Sequence, residues 1–294
     1  MLASALDSLL NRAAVPEAVH ADWPPNTHLL DTPAGTLRLF DTGGRGPAIV
    51  MAPDGPNVIE HHLPLIERLA PHARVICFDL PGFGFSRPAL GYTHALEQGA
   101  GAILDVMDEL DVGEATLAFS CANGFYAIAA ARMAPNRVRQ LVLCQTPSRE
   151  AMMQFWMPRN VPWPVKAPLI GQIVARANRR KLAGVWYGIA VPDEERRAEF
   201  QAIGDRALVD GGCFCFAGVV QGLHGALDEQ LSGVKAPVTL FWGDSDRSHK
   251  HTRAESLLDL LPQAEVTHMP GCGHFPELEQ PSAYCDKVLA LLHK

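Results

Sequence analysis

Leu2, Leu6, Leu9 and Leu10 recur at i, i+4, i+7 and i+8, the spacing of one helix face. The first dozen residues therefore predict a short amphipathic helix that ends before Pro16 and packs through its leucines. After Pro24 and Pro25, Thr36 to Phe40 and Ala48 to Met51 read as strands, separated by the turn-forming run Gly43-Gly44-Arg45-Gly46-Pro47. From there apolar runs alternate with helical patterns. Strands are predicted at Val75 to Asp79, Ala115 to Phe119 and Arg139 to Cys144, with helices at Ala95 to Leu110 and Gly124 to Met133. Continuous apolar strands alternating with helices imply βαβ units and a parallel sheet covered on both faces, an α/β architecture.

The alternation stops between about Ser148 and Val234. It resumes with a strand at Val238 to Trp242, a helix near Ala254 to Leu261, a strand near Glu265 to His268 and a C-terminal helix from Pro281. The interruption carries three of the five tryptophans, Trp156, Trp163 and Trp186, and the cluster Met152, Met153, Phe155, Met157. Aromatic rings and soft thioethers fit a cap over a site at the C-terminal edge of the sheet, and composition alone fits a plain helical subdomain equally well. As a cap, it offers Met152, Met153, Phe155, Trp156, Trp163 and Trp186 as residues for an apolar substrate.

Composition narrows the function classes. With 48% hydrophobic and 19% charged residues among 294, the chain can bury a large core and is not disordered. A net charge of −7 leaves no cation surplus for a phosphate backbone, so nucleic acid is not an expected partner. Apolar runs fall short of the ~20 residues that cross a bilayer, and the N-terminus lacks the marks of a signal peptide. A soluble, unexported protein without membrane contact is expected. Seven scattered cysteines match neither a disulfide framework nor a zinc pattern, which points to a reducing cytoplasm. Cys77 and Cys144, inside apolar runs, read as buried small hydrophobes. Glu60, His61 and His62 lack the spacing for a metal site, and neither metal nor cofactor is expected.

The segment Leu110 to Gly124 passes from a helix end through a strand to a sharp turn and a new helix, a place where one side chain is held above a sheet beside helix N–H groups. Here Leu117-Ala118-Phe119-Ser120-Cys121-Ala122-Asn123-Gly124 resembles the L-V-G-H-S-x-G-G elbow of the α/β-hydrolase family, and the resemblance runs from roughly Thr36 to the C-terminus. Two registers compete. Small Ala118 and Ala122 flank Ser120, as a tight elbow favours. Yet Arg132-Met133-Ala134-Pro135-Asn136-Arg137-Val138 resembles the family's R-H-P-E-R-V, whose proline falls fourteen residues after the nucleophile, and that count lands on Cys121. Counting forward from Leu110 to Ala115 reaches the same residue.

The resemblance supplies further parts. Trp242-Gly243-Asp244-Ser245-Asp246 is similar to the W-G-x-x-D turn whose last carboxylate orients a histidine, and Pro270-Gly271-Cys272-Gly273-His274-Phe275-Pro276 to the P-G-x-G-H-x-P loop that carries the base. It thus implies Cys121, Asp246 and His274 as catalytic residues. The oxyanion donors it implies are the N–H groups of Ala122 and of Gly55, in Pro53-Asp54-Gly55-Pro56, which stands where the family has H-G-x-P. Asp79 to Ser86 matches D-x-x-G-x-G-x-S, a structural turn in the relatives. The implied organisation is a hydrolase core at 1–147 and 235–294, with an N-terminal helical arm over 1–25, and a helical cap over 148–234 inserted after the sixth strand.

A helix start and a neighbouring imidazolium both lower a thiol pKa, so Cys121 is expected to be substantially thiolate at neutral pH. The function this implies is acyl transfer through an acyl-cysteine, from an ester, lactone or thioester, ending in hydrolysis, transfer or cyclisation. Serine chemistry at Ser120 and a non-catalytic small-molecule binding protein stay open as alternatives. The cap's Arg176, Arg179, Arg180 and Lys181 suit a solvated helix face or the phosphates of a carrier protein or coenzyme A.

Overall fold

The computed structural model describes residues 2–12 and 23–292. Eight strands build the central sheet: β1 Thr27–Thr32, β2 Gly35–Asp41, β3 Ala48–Met51, β4 Arg74–Phe78, β5 Ala115–Ser120, β6 Val138–Cys144, β7 Val238–Gly243 and β8 Ala264–Met269. Their order is β1-β2-β4-β3-β5-β6-β7-β8, and Arg87–Pro88 adds a short ninth strand on β2. β1 and β2 pair antiparallel, as do β2 and β4. All other pairs in the eight are parallel. Counting β1, which the sequence pattern does not reveal, the cap insertion follows the sixth strand.

Two apolar layers cover the sheet. On one face α3 (Leu96–Glu109) and α4 (Cys121–Met133) bury Ile103, Val106, Phe125 and Ile128 against Leu117 and Phe119. On the other, α2 (Ile59–Leu69) and the C-terminal helix Pro281–Leu292 bury Ile59, Leu69 and Val288 against Ile49, Val75 and Val142. Every residue of β5 is buried, the signature of a strand covered on both faces. Cys77 and Cys144 lie in these layers, and all seven cysteines are free and buried.

The Asp79 to Ser86 turn is held from within. The fully buried Arg38 contacts Asp79 at 2.8 Å and Glu60 at 2.6 Å, and its guanidinium lies over the rings of Phe85 and Trp23. A buried cation is tolerable only when paired and hydrogen-bonded in this way. Glu60 is therefore occupied, and His61 Nε2 faces the carbonyl of Phe200 at 2.9 Å.

The N-terminal helix α1 (Leu2–Arg12) exists, but it packs through the face opposite to the one expected. Ser4, Asp7, Ser8 and Asn11 are buried, while Leu2 and Leu9 are 77% and 57% exposed. The reason is the surface beneath it, which is polar. Ser8 Oγ donates to the carbonyl of Ala89 at 2.7 Å, Asn11 Nδ2 to Cys215 Sγ at 3.1 Å, and Asn11 Oδ1 accepts from the Phe214 N–H. The remainder of the arm, residues 13–22 with Pro16, lies outside the described residues. Among the described residues no helix is long and apolar enough to cross a membrane.

Between β6 and β7 lie short helical pieces over Arg149–Ala151, Met152–Trp156 and Met157–Asn160, the middle one a π turn, followed by Trp163–Lys166. The longer helices Ile170–Ala177, Arg179–Ala190, Glu194–Val209 and Phe216–His224 complete the cap. A two-residue ribbon, Phe83–Gly84 with Cys213–Phe214, ties it to the core.

Candidate active site

β5 passes into α4 without an intervening residue. Ser120 ends the strand at φ −120°, and Cys121 opens the helix at φ +51°, a left-handed conformation that costs a non-glycine residue about 1–3 kcal/mol. Thr146 Oγ1 donates to the Cys121 carbonyl at 3.0 Å, and a Cβ at Gly124 would strike the Thr146 side chain, so only glycine lets the two turns close together. The two neighbours at the elbow face opposite ways. Ser120 Oγ donates to Glu277 Oε1 at 2.7 Å, in a recess shared with His62 and Tyr284. Cys121 faces the cavity beneath the cap.

His274 is fully buried on the loop after β8, its N–H donating to the Ala190 carbonyl of the cap at 2.8 Å. Its Nδ1 lies 2.7 Å from Asp246 Oδ2. Asp246 is fixed in turn by the Ser248 N–H at 2.8 Å and Gln145 Nε2 at 2.8 Å. Burial works to raise the Asp246 pKa, but His274 and, less strongly, the Gln145 amide hold it down at about 2. Asp244 instead meets His268 Nδ1 at 2.6 Å on the surface. Burial alone would lower His274, yet Asp246, and after it Asp54, lift it well above the usual imidazole range.

Cys121 Sγ is within 4.8 Å of a His274 ring nitrogen. Its charge state differs from the expectation. The Ala122 N–H and His274 do favour the thiolate, but burial and the nearby Asp54 carboxyl outweigh them and push the thiol up to about 11. At neutral pH Cys121 is a thiol.

Two side chains at this site have no motif of their own. Asp54 Oδ2 lies 3.5 Å from His274 Nε2, and burial raises its pKa. The available signal was a carboxylate where the resemblance places the glycine of H-G-x-P. His249 stacks on His274 at 5.3 Å, bonds Thr252 Oγ1 through Nδ1 at 2.6 Å, and is pushed down to about 3 by burial. One ring nitrogen each of His249 and His274 and the Cys121 sulfur all lie within 4.8 Å of one another. Asp7, His94 and Cys215 form a second such group beneath α1.

The cavity has a volume near 110 Å³. Asp54, Gly55, Cys121 and Ala122 form its floor, and Phe83, Trp156, Leu182, Val185, Trp186, Ile189, Phe214, Phe216 and Val219 its apolar walls. Ala122 lies in the first turn of α4, where N–H groups have no partner within the helix. Gly55 is packed by the Phe83 ring where a Cβ would stand, so the loop approaches closely only as glycine. Of the six cap residues expected at a substrate, Trp156 and Trp186 are on the cavity wall. Met152, which opens the π turn, is instead buried in the main core, and Met153 is partly buried against it. Phe155 and Trp163 face solvent, Trp163 at 74% exposure. In the cap's basic run, Arg176 and Arg179 donate to the carbonyls of Gly212 and Leu208, and Arg180 lies 3.6 Å from Asp205.

Residues 49–287 match the model of the Alpha/beta hydrolase family. The chain belongs to this family. It is 29% identical over 125 residues to a zearalenone hydrolase of Bionectria ochroleuca, covering 41% of this chain and 47% of that one. It is 30% identical over 107 residues to a 2-hydroxy-6-oxo-2,4-heptadienoate hydrolase of Pseudomonas putida, covering 36% and 39%. Each match thus spans less than half of the relative's length. Among solved structures, epoxide hydrolase A from Mycobacterium thermoresistibile superposes with a TM-score of 0.76 at 16% identity, over 92% of this chain and 98% of that one, a likeness of fold.

Proposed function

We propose that this family member is an acyl hydrolase that forms a covalent acyl-Cys121 intermediate from an ester, lactone or thioester. The observation that carries the reading is the placement of Cys121. It stands on a left-handed elbow in the capped cavity, within 4.8 Å of a His274 ring nitrogen, while His274 is held by Asp246 at 2.7 Å. In this scheme His274 accepts the thiol proton as sulfur attacks the carbonyl carbon, then gives it to the leaving group. Asp246 fixes the imidazole tautomer and stabilises its charged form. The N–H groups of Ala122 and Gly55 receive the oxyanion. The relatives named as hydrolases support water as the final acceptor. A thioester intermediate under apolar walls also reacts with amines and thiols, so transfer competes with hydrolysis.

The walls limit the substrate. Among the described residues neither lysine nor arginine lines the cavity, and Asp54 is already there, which favours a small, neutral acyl group. Arg176 and Arg179 are engaged within the cap and none of the basic run lines the cavity among the described residues, so a free ester or lactone is better supported than a phosphate-bearing carrier or coenzyme A. The retained Asp246–His274 pair favours an enzyme over a binding protein.

Intact-mass measurement with p-nitrophenyl butyrate tests the reading. The wild type should gain one butyryl group, mapped to Cys121, and Ser120→Ala should gain it too. An adduct that persists in Cys121→Ala, or that maps to Ser120, overturns it.

A further inference from the structure

The scheme above leaves one group in the cavity without a task. Asp54 is buried on the cavity floor, and the group that meets its carboxyl is His274 Nε2, at 3.5 Å. Three other buried carboxylates are equipped with donors. Asp79 receives Arg38 and the N–H groups of Ile59 and Phe85, Asp246 receives the Ser248 N–H, and Glu279 receives those of Gly273 and Phe275. Among the described residues the contacts that stabilise the Asp54 carboxylate come from His274 alone, and Asp246 beyond the ring opposes its ionisation. An unpaired buried charge is costly, so a carboxylate held for architecture alone is better served by donors such as these. Asp54 faces instead the ring nitrogen on which the reaction's proton has to move.

We propose that Asp54 is a catalytic residue that takes the proton from His274 Nε2 when substrate fills the cavity, freeing His274 as a base, and offers that proton to the substrate's carbonyl oxygen. The proposal rests on the acyl-Cys121 reading and removes a difficulty in it, since an imidazolium cannot accept the thiol proton. In the empty site His274 and Asp54 hold one proton between them as imidazolium and carboxylate. A neutral acyl group expels water and lowers the local dielectric, which favours the uncharged pair of imidazole and carboxylic acid.

The thiol proton then passes to Nε2 as the S–C bond forms, and the carbonyl electron pair moves onto oxygen, facing the Asp54 O–H and the Ala122 N–H. Collapse breaks the bond to the leaving group, which departs with the proton from Nε2. Water attacks the thioester while Nε2 takes its proton. That proton returns to the departing Cys121 sulfur, the acid is released, and Asp54 gives its own proton back to His274. The other titratable neighbours do not compete for it: Asp246 stays ionised, His249 stays neutral, and Cys121 is a thiol until attack.

Asp54→Asn tests this with two readouts that move in opposite directions. Removing the carboxylate beside Cys121 should speed its alkylation by iodoacetamide at pH 7 several-fold, whereas the rate of acylation by p-nitrophenyl butyrate should fall by about 10²-fold or more. Asp54→Gly, which restores the residue the family pattern places there, should show the same divergence. Acylation within threefold of wild type in either variant overturns the proposal. So does a parallel fall of both rates in both variants, the mark of a structural role. The underlying reading fails separately: loss of the adduct in Cys121→Ala together with normal acylation in Asp54→Asn sinks the Asp54 role alone.

Discussion

The side-chain amide of Gln145 donates to Asp246 Oδ2 at 2.8 Å, the same oxygen that lies 2.7 Å from His274 Nδ1. Gln145 follows β6 at φ +48°, is fully buried, and accepts the Gly243 N–H at 2.8 Å through its Oε1. One amide thus fixes both the end of β7 and the carboxylate that the turn presents. Gln145→Leu leaves the Gly243 N–H without its acceptor and Asp246 short of a donor. We expect a stability loss of about 1–3 kcal/mol in urea unfolding, and acylation slowed by about tenfold, the effect of a misplaced rather than a missing histidine partner. Unchanged acylation would mean that Ser248 alone suffices to hold Asp246.

Asp246→Asn should keep the fold and cut turnover by orders of magnitude, because an amide favours the wrong imidazole tautomer; the analogous change in a serine protease costs ~10⁴. Asp244→Asn should be mild, since Asp244 only meets His268 at the surface. Comparable kcat losses in the two variants would refute the assignment of Asp246.

The strands covered on both faces were readable because two-sided burial writes continuous apolar runs, as in Ala115–Ser120. β1 was not readable. It is an edge strand with no fully buried residue, and Thr27-His28-Leu29-Leu30-Asp31-Thr32 carries little apolar signal. Pro64 and the buried His61 and His62 disguised α2, and Ala254–Asp259 is a 3₁₀ segment where an α-helix was expected. For α1 the leucine spacing revealed the helix and misstated its buried face, because the surface that receives it sets the face. At the site, local turn patterns placed His274 and Asp246 together. Gln145 and His249 were silent, since each meets neighbours distant in the chain; Asp54 showed only as a carboxylate in the place of a glycine, and the charge of Cys121 depends on burial that no motif encodes.

The cavity should discriminate acyl length. Each buried methylene contributes about 0.8 kcal/mol, close to fourfold in kcat/KM. A volume near 110 Å³ is smaller than the ~150 Å³ cavity that admits benzene. With p-nitrophenyl esters, kcat/KM should therefore climb from acetyl to butyryl and then flatten. Leu182→Ala, which removes volume from the wall, should move the plateau to longer chains. A dependence flat from acetyl onward would exclude this cavity as the acyl site.

The polar seat of α1 makes stability depend on pH in a sense opposite to that of a paired carboxylate. Burial pushes the Asp7 pKa from 3.8 up to about 6, against hydrogen bonds from Gln172, Cys215 and the Gly218 backbone. Between pH 4 and 6 the folded chain therefore holds a proton that the unfolded chain has released. The contribution of Asp7 to stability falls as pH rises through that window and stays lowered above it. Two pKa units correspond to about 3 kcal/mol. His94, held down to about 3 by burial, is neutral in the folded chain while the unfolded imidazole keeps its proton up to about 6.5, so it contributes the opposite slope over this window. That slope is the same with or without Asp7 and cancels in a comparison of the two, and Cys215, raised well above the ordinary thiol range, stays protonated. Asp7→Asn keeps an acceptor for Gln172 and removes the titration. Urea unfolding at pH 4, 6 and 8 should show the variant gaining on the wild type as pH rises, by about 1–3 kcal/mol at pH 8. Glu279, raised by burial to about 7, tilts both proteins alike and cancels in the difference. A stability difference that does not change with pH would show that Asp7 is not held protonated beneath α1.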